Sequence, residues 1–380
     1  MRYYIIAGEA SGDLHASLII RELKKHDHDA DFRVWGGDKM HSQGAHVVKH
    51  YRDLAFMGFL EVALNLRTVL RNIRFCKSDL LNYRPDVLIC VDYPGFNMRI
   101  AEFAHKHSIR VIYYIAPQVW AWHQSRVHKI HKYVDKAFVV LPFEKEFHAK
   151  FGYNVEYTGH PLIDTIDESD TSQTPVFLSK NKLDGRPVIA LVPGSRKQEI
   201  QRLLPVMLKV VDDFPGYQFI IAGVGTIPHE YYDSIIGNKN VMVVYKQTYD
   251  LLRNSEAALV TSGTATLETA LLQVPQVVCY RMSFMSALLA WLVIKVKYIS
   301  LVNLILDKEA VKEFIQYQCT RKNIVTELKK ILGDGDYRHT MIEDYRKLRS
   351  LAGDHGASVR AADIIWKQLD THINSKFVQQ

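Results

Sequence analysis

Cysteine is scarce in this chain: four in 380 residues, at positions 76, 90, 279 and 319, with no C-x-x-C pair among them. That excludes a disulfide framework and a zinc ribbon, and it fits a reducing compartment. Cys90 and Cys279 fall inside apolar runs, where a thiol serves as a small core residue. Long apolar runs are missing too. The segment 282–294, with Phe284, Met285, Leu288, Leu289, Trp291, Leu292 and Val293, carries no charge. It falls short of the roughly 20 residues a spanning helix needs. A buried helix and an interfacial helix both fit it, and the flanking Lys295, Lys297 and Tyr298 suit a headgroup layer. The first eight residues, MRYYIIAG, are followed at once by Glu9 and Asp13. An export signal has a longer apolar stretch free of acids, so a first β-strand of a cytoplasmic protein is expected here.

Several catalytic signatures are also absent. There is no G-x-G-x-x-G, no G-x-x-x-x-G-K-[ST] and no G-x-S-x-G, which leaves simple dinucleotide, P-loop and serine-hydrolase readings without support. No repeat or low-complexity tract is visible. The 17 histidines include the pairs His128/His131 and His105/His107, but no third ligand falls at a recognisable metal spacing.

The composition that remains is ordinary: 48% hydrophobic and 23% charged over 380 residues, enough for two domains with sizeable cores. The net charge of +7 attracts any polyanion, whether nucleic acid, anionic lipid or phosphorylated substrate.

Along the chain, short apolar runs alternate with amphipathic stretches. Strands are expected at 3–7, 87–91, 111–115 and 137–141, with a helix over 13–25 placing Leu14, Leu18, Ile19 and Leu23 on one face. A polar stretch at 167–174 reads as a linker. The alternation then restarts, with strands at 188–192, 219–222, 241–244, 257–260 and 276–280 and helices at 199–213 and 264–272. Continuous apolar strands separated by helices indicate parallel sheets covered on both faces. The expected organisation is a Rossmann-like domain at 1–165, a second at 175–335, and C-terminal helices at 336–380 free to pack back on the first. A cleft between the two domains would hold the ligands.

Four loops follow strands and open helices. In the first, 7–13, Gly8 and Gly12 permit tight backbone geometry and Ser11 or Asp13 can cap the helix, while Glu9 would repel a pyrophosphate. This loop suits a sugar or hydroxyl ligand, or nothing beyond a turn. In the second, 91–97, Asp92 ends an apolar strand, where a carboxylate either faces a cleft or caps a helix; in a cleft it can take a proton from a hydroxyl. The third, 193–199, sets Gly194 and Ser195 before Arg196 and Lys197 at a helix start, an arrangement suited to an anion or to plain surface solvation of the two cations. The fourth, 262–268, has Ser262, Gly263 and Thr264 opening a helix that carries Glu268, so a phosphate and ribose hydroxyls fit there as well as plain capping does. The segment 120–129, with Trp120, Trp122 and basic residues between, reads as a wall contacting substrate or as helix packing.

At these loops the chain resembles the lipid-A-disaccharide synthase family, glycosyltransferases of the GT-B fold. The resemblance is carried by AGEASGDLH (7–15), DYPGFN (92–97), QVWAWHQSRVHKI (118–130), LPFEKEF (141–147), GHP (159–161), PGSRKQEI (193–200), SGTATLE (262–268), YRMS (280–283), NLIL (303–306) and FIQYQC (314–319). It implies two Rossmann-like domains with parallel sheets facing a central cleft. The implied reaction joins UDP-2,3-diacylglucosamine to 2,3-diacylglucosamine 1-phosphate (lipid X), with inversion and release of UDP, and needs neither metal nor other cofactor. By match of motif, Asp92 would be the base and Arg196 would neutralise the leaving diphosphate. Gly194, Ser195, Ser262, Gly263, Thr264 and Glu268 would hold UDP, with Asn303 and Gln316 nearby. Gly8, Glu9, Ser11, Gly12, Asp13, Trp120 and Trp122 would line the acceptor side. Also implied is peripheral attachment to the cytoplasmic face of the inner membrane, with Met57, Phe59, Leu60 and Trp291 as exposed apolar contacts. No nucleic-acid partner is implied, and a homo-oligomer is left open. Three positions depart from the family pattern: His123 where Arg is frequent, Ala116 where Ser is frequent, and Val302 before Asn303 where Pro is usual. The competing functions are another UDP-sugar enzyme of the same fold, an N-acetylglucosaminyltransferase or epimerase, and a non-catalytic protein binding anionic lipid.

Overall fold

The computed structural model describes residues 1–54, 66–121, 124–169, 174–181, 183–282 and 297–377. Two compact units emerge. The first comprises Met1–Asp164 together with His355–Gln380, and the second is Thr165–Asp354.

The first unit is built on a seven-stranded sheet in the order β3-β2-β1-β4-β5-β6-β7. Its strands are β1 Arg2–Ala7, β2 Asp31–Gly36, β3 His46–His50, β4 Val87–Val91, β5 Arg110–Tyr114, β6 Lys136–Val139 and β7 Glu156–Tyr157. Each neighbouring pair is parallel. Strand periodicity divides the core in two: Tyr4, Ile6, Leu88, Cys90 and Tyr113 belong to one apolar cluster. Tyr3, Ile5, Val87, Ile89 and Ile112 belong to another. Alternate residues thus leave the sheet on opposite faces and both faces are buried, which is why these strands read as unbroken apolar runs. Ala361, Ala362, Ile365 and Leu369 of the final helix, Ala357–Phe377, complete the second cluster.

The second unit holds a six-stranded sheet in the order β10-β9-β8-β11-β12-β13, with β8 Val188–Val192, β9 Gln218–Gly223, β10 Val241–Tyr245, β11 Ser255–Thr261, β12 Gln276–Tyr280 and β13 Lys312–Ile315. These pairs are parallel as well.

Three details differ from the sequence reading. The helix expected at 199–213 is an α-helix over Lys197–Met207 followed by 3-10 turns through Asp213. The polar stretch around 170 lies inside the second unit, whose boundary falls at 164/165. The block 336–380 divides: helix Asp336–Ala352 stays with the second unit, where Met341, Tyr345 and Leu348 are buried. Only Ala357–Phe377 returns to the first. All four cysteines are buried and free.

Candidate functional site

Strand order decides where ligands can enter. In the first sheet the order reverses between β1 and β4; in the second it reverses between β8 and β11. At such a switch point the two following loops leave in opposite directions and open a crevice at the carboxyl ends of the strands. The loops after β1 and β4 are 8–13 and 92–97, and those after β8 and β11 are 193–199 and 262–268. All four loops singled out in the sequence therefore flank the two switch points.

In the first unit the structure brings the β1 and β4 loops into contact. A Cβ on Gly8 would lie 2.4 Å from Cγ of Tyr93, so only glycine admits the tyrosine ring there. Burial and the nearby charge of Glu9 push the Tyr93 phenol up. Asp92 and Tyr93 both adopt positive φ, +46° and +51°, a conformation costing on the order of 1–3 kcal/mol per non-glycine residue. The Asp92 carbonyl accepts two hydrogen bonds of 2.7 Å, from the Asn97 side-chain amide and from the Tyr113 hydroxyl. Ser11 is exposed on the first turn of helix Ala10–His26, and Gly12 packs closely against Ala7.

Asp13 has a different task. Its buried carboxylate accepts from the backbone N–H groups of Gly37 (2.7 Å), Lys39 (3.0 Å) and Met40 (3.2 Å), capping helix Asp38–Ser42. Trp120 donates its indole N–H to Glu144 at 2.9 Å and meets Phe143 edge-on. Glu144 also accepts from the N–H groups of Val140 and Leu141, and burial raises its carboxyl to about 7. Met57, Phe59, Leu60, Trp122 and Trp291 lie outside the described residues.

In the second unit, Gly194 sits at φ +120°, and a Cβ there would approach Glu199 Oε2 within 2.4 Å. The Glu199 carboxylate accepts from the N–H groups of Ser195 (3.1 Å) and Arg196 (3.3 Å) and pairs with the half-exposed Arg196 guanidinium at 3.4 Å. An acid of the same helix already rests on the backbone donors of this turn, in a capping box. Tyr280, at the tip of β12, borders the same turn: burial and then the Glu199 charge push its phenol up, while Arg196 and Arg202 pull it back.

In the β11 loop, Ser262 donates to the carbonyl of Ile299 (2.7 Å), Gly263 caps the helix Thr264–Leu271, and Thr264 is exposed. Glu268 accepts the Tyr249 hydroxyl at 2.8 Å; burial raises its carboxyl and the tyrosine offsets part of that. The Asn303 side chain is fully buried. Its amide donates to Val311 O and Glu313, and its oxygen accepts from the N–H groups of Ala310 and Val311. It therefore braces the loop that also meets Ser262 and offers a ligand nothing directly. Gln316, at φ +52°, accepts from the N–H of Met282 at 3.1 Å.

Among the described residues, no group of three or more His, Cys, Asp or Glu side chains is placed to hold a metal ion. The structure adds Asn97, Tyr113, Glu144, Glu199, Tyr249 and Glu313 to the sites. Of these, Glu199 and Glu144 had a local signal, each an acid three residues into a helix, and Asn97 lies within the loop it braces; Tyr113, Tyr249 and Glu313 act on partners 10 or more positions away.

Comparison with known proteins agrees with this picture. Residues 3–364 match the family described as lipid-A-disaccharide synthetase. A Syntrophus aciditrophicus protein named lipid-A-disaccharide synthase is 37% identical over 365 residues, covering 94% of this chain and 95% of its own. A Legionella pneumophila protein, lipid-A-disaccharide synthase 1, is 33% identical over 378 residues, covering 97% of each chain. Among solved structures, the Neisseria meningitidis UDP-GlcNAc 2-epimerase bound to UDP-GlcNAc superposes with a TM-score of 0.65 at 14% identity, covering 98% of this chain and 100% of the other. The calicheamicin glycosyltransferase CalG4 superposes at 0.61 with 15% identity, covering 98% and 99%. At those identities the likeness establishes the two-domain GT-B fold.

Proposed function

The chain belongs to the lipid-A-disaccharide synthetase family, and from that premise we propose that it transfers a 2,3-diacylglucosamine unit from UDP to the 6-hydroxyl of 2,3-diacylglucosamine 1-phosphate. The acceptor oxygen forms a bond to the anomeric carbon as the bond to the diphosphate breaks. The hydroxyl proton passes to Asp92, and UDP leaves with inversion at the anomeric carbon. The observation that carries this reading is the assignment of all four loops to the two switch points. A carboxylate follows β4 in the first unit, and an anion-binding turn follows β8 in the second.

Such a displacement needs one base and a stabilised leaving group. Arg196 and the N–H groups of the 194–196 turn meet the diphosphate, displacing the Glu199 carboxylate that now covers them. Ser262, Gly263 and Thr264 border the nucleotide, and Glu268, oriented by Tyr249, accepts from ribose. Glu9, Ser11 and Trp120 border the acceptor, while Asp13 and Asn303 brace the loops beneath. The unrelated chemistry of the epimerases with this fold is set aside by family membership, because those proteins share only the fold.

The acylated substrates place the reaction at a lipid surface. Supporting this, helix Leu66–Tyr83 exposes Leu70, Phe75 and Leu81 (41%, 48% and 40%) beside the exposed Arg67, Arg71 and Arg74. That mixture of apolar and basic groups suits an anionic headgroup layer, and the helix follows Met57, Phe59 and Leu60 in the chain. No helix among the described residues is long and apolar enough to cross a membrane. We infer peripheral attachment, at the cytoplasmic face of the inner membrane, from the acylated substrates and from this mixed apolar and basic helix face.

The test is UDP release from the two acylated substrates by native protein and by Asp92→Asn. Disaccharide formation that falls at least about a hundredfold in the variant, with UDP affinity retained, supports the base. Full activity in the variant removes Asp92 from that role. No disaccharide from folded native protein removes the reaction itself.

A further inference from the structure

The turn that follows β4 is held in an unusual way. Two consecutive residues other than glycine, Asp92 and Tyr93, have left-handed backbones, a combination that L side chains disfavour and that persists only where the surroundings over-determine it. Five hydrogen bonds and one close packing contact do so here. The Asp92 N–H donates to the carbonyl of Tyr114 at 3.2 Å. The Asp92 carbonyl accepts both the Asn97 amide and the Tyr113 hydroxyl at 2.7 Å. Asn97 Nδ2 also reaches the carbonyls of Val91 (3.2 Å) and Ile6 (3.3 Å), which ties the ends of β4 and β1 to the same atom. Gly8 leaves the room that the Tyr93 ring occupies. Asn97 and Tyr113 are both fully buried, so neither can touch a substrate.

The backbone conformation at Asp92 sets the direction in which its Cα–Cβ bond leaves the chain. Relaxation to a right-handed conformation would redirect that bond, and a proton-transfer group displaced by about 1 Å loses much of its effect. We propose that Asn97 and Tyr113 are positioning residues for Asp92: by fixing its carbonyl they hold the strained turn in the one conformation that presents the carboxylate to the acceptor hydroxyl. This rests on the reading of Asp92 as the base. A purely structural role for the two residues would stabilise the strand ends without acting through Asp92, so the two alternatives differ in coupling.

The experiment is a double-mutant cycle measured on disaccharide formation from the two diacylated substrates. Tyr113→Phe removes one hydroxyl and keeps the ring. Asn97→Ser withdraws the amide from the same carbonyl by a second route, should the first variant fold poorly. Each is made alone and on the Asp92→Asn background, with kcat, KM for both substrates, UDP affinity and Tm recorded. The expected result is a fall in kcat of about tenfold for either single variant, with KM values and UDP affinity within about twofold of native. On the Asp92→Asn background neither substitution lowers kcat further. An equal fall in kcat on both backgrounds overturns the proposal while leaving the base in place, as does a loss of Tm with native kcat. Full activity of Asp92→Asn alone overturns the base, and the proposal with it.

Discussion

At position 8 a single methyl group would enter the Tyr93 ring, 2.4 Å from its Cγ. The ring must shift to admit it, and that ring belongs to the turn that carries Asp92. Gly8→Ala is therefore expected to lower stability by about 1–3 kcal/mol and to lower kcat as well, measured by denaturant unfolding and by turnover. Ser11→Ala, on the exposed side of the same loop, is expected to leave stability unchanged. Two buried histidines give a second prediction. Burial lowers His15 to about 4, against a small upward pull from Asp164, and lowers His160 to about 3, with His15 adding to the effect. In the unfolded chain both titrate near 6.5, so below that pH the unfolded state binds more protons. Stability should then fall from about pH 6.5 down to about pH 4, each histidine contributing a slope approaching about 1.4 kcal/mol per pH unit. Urea unfolding at pH 7, 6 and 5 checks this, and His15→Gln should flatten the slope.

The helices and strands show which signals a sequence carries. Strands β4, β8 and β12 are readable to the residue because nearly all their residues are buried and, apart from Gln276 at the start of β12, apolar. β2 and β13 escaped notice because they mix charges into the run. Arg33 of β2 reaches Asp79 at 2.6 Å, and Glu313 of β13 receives the N–H groups of Ile299 and Ser300; both partners are invisible in a local window. The capping role of Asp13 is hidden for the same reason, since its three donors lie 24 to 27 positions away. The loops themselves were legible, because glycine, hydroxyl and charge interrupt apolar runs wherever strand gives way to helix. Another remote carboxylate controls a whole element. Asp164 accepts from the N–H groups of Gly356 (2.7 Å), Ala357 (3.2 Å) and Ser358 (2.8 Å), the opening turn of helix Ala357–Phe377. Asp164→Ala leaves those buried donors unpaired. The expected loss is about 1–3 kcal/mol, with faster amide exchange concentrated in 357–369 in mass-spectrometric hydrogen exchange.

For the whole molecule, the decisive feature is that the first unit is discontinuous: its sheet comes from residues before 165 and one of its covering helices from residues after 354. Deleting 357–377 uncovers the face formed by Tyr3, Ile5, Ile19 and Leu23. Such a truncation is expected to leave the first unit open to protease while the second remains resistant and still binds UDP, as limited proteolysis with and without UDP would reveal. No periodicity in residues 336–380 separates the helix that stays with the second unit from the one that goes to the first, because both are amphipathic. Contacts distant in sequence distinguish them, among them Asp164 at the start of Ala357–Phe377 and Arg360 on the carbonyl of Thr158.

The same discontinuity has a consequence during synthesis. Residues 1–164 leave the ribosome first, yet the helix that covers one face of their sheet leaves last, after all of 165–354. At roughly 5–20 residues per second that interval lasts on the order of ten seconds or more. Throughout it the apolar cluster that helix Ala10–His26 shares with the sheet lacks one of its covering helices, while all of the second unit is made. The part of the protein made first is thus the part finished last.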